Sequence, residues 1–213
     1  MIYFKLTLFF VLFASQAFAL SLEQVKTALT EGVIPRDSVE KNLRVSVKAL
    51  GVYQQTDIYI VNKGTGKSYT EIRGGFLNQR SIVNGNKMKI VDLKTNKAQL
   101  LDYNGEALQP NSYADFNPLD SGDWEEPKFL SGEIYLIKGP VGNVYYNSKT
   151  KRIEKVEAVK DHTNTQTTFT YDASNKLKKM AVSVMVNGTE SVVTTEILRM
   201  QKSDKIPDSL FEL

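Results

Sequence analysis

Residues 76–93 read FLNQRSIVNGNKMKIVDL. At their centre stands Asn84-Gly85, two residues that tolerate a positive φ, as the two-residue turn of a tight hairpin requires. The flanks, Phe76–Val83 and Lys87–Leu93, therefore predict two antiparallel strands. The same period of two extends outward in both directions. Leu43, Val45 and Val47 alternate with Arg44, Ser46 and Lys48, the pattern of a strand with one wet face. Thr56–Asn62 is apolar on both faces around Ile58–Val61, the run 63–66 is a turn, and Ser68–Arg73 resumes extension up to Gly74-Gly75. Ala98–Tyr103 follows the hairpin. Further on, Glu133–Lys138, Asn143–Tyr146, Arg152–Val159, Thr165–Tyr171, Lys176–Asn187 and Glu190–Met200 are separated by turns such as Gly139-Pro140 and Asn187-Gly188. About eleven strands in order, mostly with short connections, predict an antiparallel meander.

The other elements are few. Ser21-Leu22-Glu23-Gln24 is a capping-box pattern, and Leu22, Val25 and Leu29 fall on one stripe, so residues 21–31 are expected to form a short amphipathic helix stopped by Gly32 and Pro35. Residues 106–128 interrupt the strand rhythm with Pro110, Pro118 and Pro127. Their aromatics, Tyr113, Phe116 and Trp124, are too many for a solvated loop and are expected to pack back onto the sheet. A flat sheet of eleven strands should curl, close or split. The expected fold class is mainly β with one or more short helices, a strongly curved antiparallel sheet (an unclosed β-barrel) capped by helix and loop segments. The alternative is a two-sheet sandwich with a solid core.

Composition narrows the function. The chain has 213 residues, no cysteine, one histidine and a net charge of +3. Met1–Lys5, the apolar run Leu6–Ala14 and Ala17-Phe18-Ala19 make a leader with an export signal's three parts, cleaved after Ala19. The run is too short for a span, which takes ~20 residues. Removing Lys5 with the leader leaves 26 basic against 24 acidic side chains, no surplus for nucleic acid. Residues 20–213 are expected to form one domain. Without cysteine there are no disulfides, thiolate nucleophiles or lipid-modified N-terminal cysteine. His162 lies in a turn with no partner for a metal or nucleophile site. Asp123, Glu125 and Glu126 read as a solvated acidic loop, and Gly64–Ser68 lacks the first glycine of a phosphate loop. The basic stretches, Lys149 to Lys155 and Lys176 to Lys179, read as solvated faces. No metal, cofactor or enzymatic activity is expected.

A resemblance sharpens this. Ile82-x-x-Gly85-x-Lys87-x-x-x-x-Asp92-x-x-Thr95 resembles the central hairpin of the bacterial outer-membrane lipoprotein carriers, the LolA-like superfamily. Lys205-Ile206-Pro207-Asp208-Ser209-Leu210-Phe211 is similar to that family's closing segment. The order of leader, helix, strands, interruption and more strands also fits. The resemblance implies a periplasmic carrier that shields lipid, or the acyl chains of a lipoprotein, in an apolar half-barrel on the way to the outer membrane. It implies inner- and outer-membrane partner proteins, and a monomer is expected. Such a site is a greasy surface, since each buried CH₂ contributes ~0.8 kcal/mol. The residues expected to line it are Leu43, Val45 and Val47, Ile58 and Ile60, Met88 and Ile90, Ile134 and Leu136, and Met180, Val182 and Val184. The expected lid comprises Leu22, Val25 and Leu29 with Phe116 and Trp124. The carriers' Arg-Pro pair after the second long strand is missing, because Ile58–Val61 runs into Asn62-Lys63-Gly64, so no lid-locking arginine is carried over. The rival function is an exported β-sandwich module for adhesion or envelope assembly, without a lipid cavity.

Overall fold

The computed structural model describes residues 20–75, 77–104, 117–120, 122–140, 142–160 and 163–213. The leader, His162 and Phe116 lie outside the described residues. The helix, α1 (Leu22–Thr30), begins at Ser21, whose hydroxyl accepts from the Gln24 N–H while the Gln24 side chain accepts from the Ser21 N–H. Both halves of the capping box are thus formed. Gly32, at φ +74°, turns the chain away past the helix end.

The strands then follow one another. They are β1 (Val39–Ala49), β2 (Val52–Lys63), β3 (Lys67–Gly74), β4 (Gln79–Asn84), β5 (Lys87–Asp92), β6 (Ala98–Asp102) and β7 (Lys128–Ser131). Next come β8 (Ile134–Gly139), β9 (Gly142–Asn147), β10 (Arg152–Lys160), β11 (Thr163–Tyr171), β12 (Leu177–Val186) and β13 (Thr189–Lys202). All thirteen belong to one open antiparallel sheet in the order β6-β5-β4-β3-β2-β1-β13-β12-β11-β10-β9-β8-β7. The sandwich alternative is therefore corrected: among the described residues there is one sheet, and it is not closed into a barrel. The strand count is corrected too. β7 was absent from the expected set because its four residues are all exposed and pair on one side only, with β8.

Pairing partners share a face of a sheet, so the register assigns every side chain. One row crosses seven strands: Val47, Val193, Val182, Thr167, Val156, Val144 and Ile137. Val156, Val144 and Ile137 pack against α1 through the fully buried Val25, together with Tyr146, Ile153, Leu119 and Trp124. This row marks the inner face. Gly139 makes room for the Trp124 ring, since a Cβ there would lie 2.2 Å from it.

The outer face carries a second cluster. The C-terminal turn Asp208–Phe211 seats the fully buried Phe211 on Val61, Tyr69 and Ile82. Lys63 and Lys67 both grip Asp208, at 2.7 and 3.0 Å. The side chain of Asp92 accepts from the N–H groups of Lys94 and Thr95, both at 2.8 Å, and so shapes the turn into β6. The two segments that carry the family resemblance thus serve the architecture.

Candidate ligand-binding site

α1 lies over β8–β11 and is held at both ends. At its start the Leu22 N–H donates to the Glu126 carboxylate at 2.8 Å. At its end the Arg152 guanidinium, from β10, donates to the Ala28 carbonyl at 3.4 Å. An anion at a helix start and a cation at its end each complement the helix dipole. Glu126 is therefore a capping group, and the reading of 123–126 as merely solvated is corrected; Glu125 pairs with Lys128 at 2.7 Å.

Beyond the helix end a cavity of about 370 Å³ opens between Leu29, Val33 and Ile34 on one side and Ile153, Tyr171, Leu177, Ile197 and Met200 on the other. Three irregularities of register meet here. Leu198 is the extra residue between β13 and β1, Lys178 between β12 and β11, and Glu154 between β10 and β9. Bulges bend a strand and sharpen its local twist, so the strands around the cavity depart from a regular ladder. The Tyr171 hydroxyl donates to the Ile153 carbonyl at 2.6 Å, which fixes its ring in the wall. In the neighbouring core burial pushes the Tyr146 hydroxyl up, against the pull of Arg152.

The mouth is charged. Arg152, Lys176 and Lys178 stand there with Glu31 and Asp172. Both acids are occupied: Glu31 by Lys151 at 3.7 Å, Asp172 by the N–H groups of Ser174 and Lys176 at 2.8 and 3.0 Å. Arg152 donates to the carbonyls of Asn175, Lys151 and Ala28. Among the described residues no carboxylate pairs with Arg152, Lys176 or Lys178.

Register locates the expected lining residues. Leu43, Val45, Val47, Ile58, Ile60, Met88, Ile90, Met180, Val182 and Val184 share the inner face, half-buried or, for Val47, exposed. They form an apolar strip leading away from the cavity rather than its wall. Ile134 and Leu136 are placed differently: they pair with Asn147 and Tyr145 on the outer face, and Ile137 is the residue turned inward. β8 is apolar on both sides, so alternation alone could not choose its parity. Of the expected lid, Leu22, Val25, Leu29 and Trp124 meet in one cluster, and Leu29 alone lines the cavity. The wall residues Ile153, Leu177, Ile197 and Met200 were missed because the bulges shift the period: Ile197 and Met200 both face inward three positions apart.

A more open groove of about 710 Å³ lies on the outer face beside Glu40, Asn42, Tyr59, Glu71 and Arg73. Its carboxylates already hold donors, from Tyr59 and Gln201 for Glu40 and from Tyr69, Arg73 and Arg80 for Glu71. Among the described residues no group of three or more His, Cys, Asp or Glu could hold a metal ion, and no helix is long and apolar enough to cross a membrane.

Compared by sequence, the chain matches no family model and no curated protein. Compared by shape, it is similar to a LolA superfamily protein from Nitrosomonas europaea, with a TM-score of 0.55 and 14% identity over 92% of this chain and 99% of that one. It is also similar to a domain from Vibrio parahaemolyticus named for outer-membrane lipoprotein sorting, with a TM-score of 0.50 and 9% identity over 89% and 94% of the two chains. An unclosed thirteen-stranded sheet with one helix on its inner face, superposable on these two neighbours along nearly their whole length, gives this chain the LolA-like fold.

Proposed function

We propose that this chain is a periplasmic carrier that takes up acyl chains, of lipid or of a lipoprotein, and moves them toward the outer membrane. The observation that carries the reading is the cavity of about 370 Å³ under the end of α1, on the same inner face as the half-buried apolar strip. Its volume is within the ~300–1,000 Å³ of small-molecule sites. The name of the Vibrio parahaemolyticus neighbour supports the cargo class. In this reading residues 1–19 are an export signal cleaved after Ala19, and residues 20–213 are one domain that acts as a monomer. The partners are an inner-membrane donor and an outer-membrane acceptor, and no cofactor takes part. The expected lining residues other than Ile134 and Leu136 then serve as the path along which chains slide to the cavity.

Native mass spectrometry of the protein purified from its own envelope fraction tests this. Co-purified acyl lipid is the expected result. Protein that emerges empty, and that binds neither a fluorescent fatty acid nor a triacylated lipopeptide, would end the carrier reading.

A further inference from the structure

We propose that the cavity takes a single acyl chain ended by an anionic group, carboxylate or phosphate, which rests between Arg152, Lys176 and Lys178. The inference rests on the carrier reading and narrows its cargo. Size comes first. A cavity of about 150 Å³ lined by aliphatic and aromatic side chains accommodates benzene, six carbons. At the same density about 370 Å³ holds about fifteen carbons, one chain rather than two or three.

Charge comes second. Arg152, Lys176 and Lys178, with Arg199 nearby, line the cavity beside two acids: Lys151 offsets the charge of Glu31, and Asp172, shaped by neutral N–H groups, offsets one cation of the four. The mouth is thus left with positive charge that the described residues do not neutralise. Arg152 is held in place by three carbonyls, which are neutral acceptors. A guanidinium fixed in this way is pre-organised to receive an anion without first losing a partner. Lys176 and Lys178 come from the turn and bulge that open β12, directly after Asn175, whose carbonyl accepts from Arg152 at 2.9 Å, so the three cations cluster. A chain lying along Ile153, Leu177, Ile197 and Met200 would bring its end group up between them.

The test uses the full exported chain stripped of lipid, with four probes: myristate, 1-myristoyl-lysophosphatidylglycerol, 1-tetradecanol and a triacylated lipopeptide. One equivalent of myristate or of the lysophospholipid should bind about tenfold more tightly than tetradecanol, the scale of two or three partly exposed charge contacts. Binding of myristate alone names a free acid as the source, and binding of the lysophospholipid alone names a phospholipid product. Lys176→Gln with Lys178→Gln should lose most of the preference for the anion, with the Trp124 emission reporting an intact core. Salt should weaken the preference in the same direction. Equal affinity for tetradecanol and myristate would overturn the anionic end. Two or more myristates per chain, or lipopeptide binding with no single-chain binding, would overturn the one-chain cavity and leave the carrier reading standing. Failure of all four probes would overturn both.

Discussion

A Cβ on Gly139 would stand 2.2 Å from the Trp124 ring, closer than any real contact. Gly139→Ala must therefore push the indole out of the cluster formed with Val25, Ile137 and Val144. Overpacking of this kind costs about 1–3 kcal/mol. Because Trp124 is the chain's one tryptophan, the same sample gives both readouts: the urea midpoint should fall and the emission maximum should move to longer wavelength, toward that of the unfolded chain. Glu71 offers a second residue-level test. Burial raises its carboxyl, but hydrogen bonds from Tyr69, Arg73 and Arg80 outweigh that and hold it below its usual range. The Tyr69 hydroxyl is pushed up to about 12, by burial first and then by Glu71. A carboxyl whose folded value is depressed contributes its full stability above the unfolded value, about 4.3, and loses it as pH falls through the folded one. The urea midpoint of Glu71→Gln should consequently fall less than that of the parent chain between pH 6 and pH 3. Equal losses would remove Glu71 from the acid sensitivity. The glycine at 139 was legible only as half of a turn, since nothing local says that a ring from fifteen residues upstream will lie on it.

At the level of elements, α1 is a cover more than a support, for no strand depends on it for pairing. Ser21→Ala removes a cap worth about 1 kcal/mol. The expected outcome is local: faster amide exchange over Leu22–Thr30, with unchanged protection in β1 and β13. Uniform loss of protection would mean that the helix holds the sheet together. This helix was legible to within a residue because its cap is a local device, serine and glutamine three positions apart. The long strands were legible for the same reason, as alternation needs no knowledge of the partner. The cavity was not. Its walls depend on Leu198, Lys178 and Glu154 being extra residues, and a bulge exists only relative to the neighbouring strand. Ile134 and Leu136 were misplaced through the same gap, a strand apolar on both sides with its parity set from outside.

The molecule as a whole is two meanders joined at their first and last strands. β1 to β6 pair with sequence neighbours, as do β7 to β13, and only β1 with β13 links distant chain, Val39 lying opposite Lys202. Pairings between distant segments are slow to form, so the β1–β13 ladder is expected to be the late step of folding. Stopped-flow refolding should show substitutions in that ladder changing the unfolding rate more than the folding rate. α1 belongs to the first meander in sequence but packs on strands of the second. The cavity therefore has a roof from one half and a floor from the other. If the chain is cut between Asn104 and Asn117, neither fragment contains a pocket, and mixing the two should regenerate it together with the buried Trp124 signal. The cavity is in this sense a seam, and occupancy by the proposed cargo should act as a stitch that raises the affinity of the two pieces for each other.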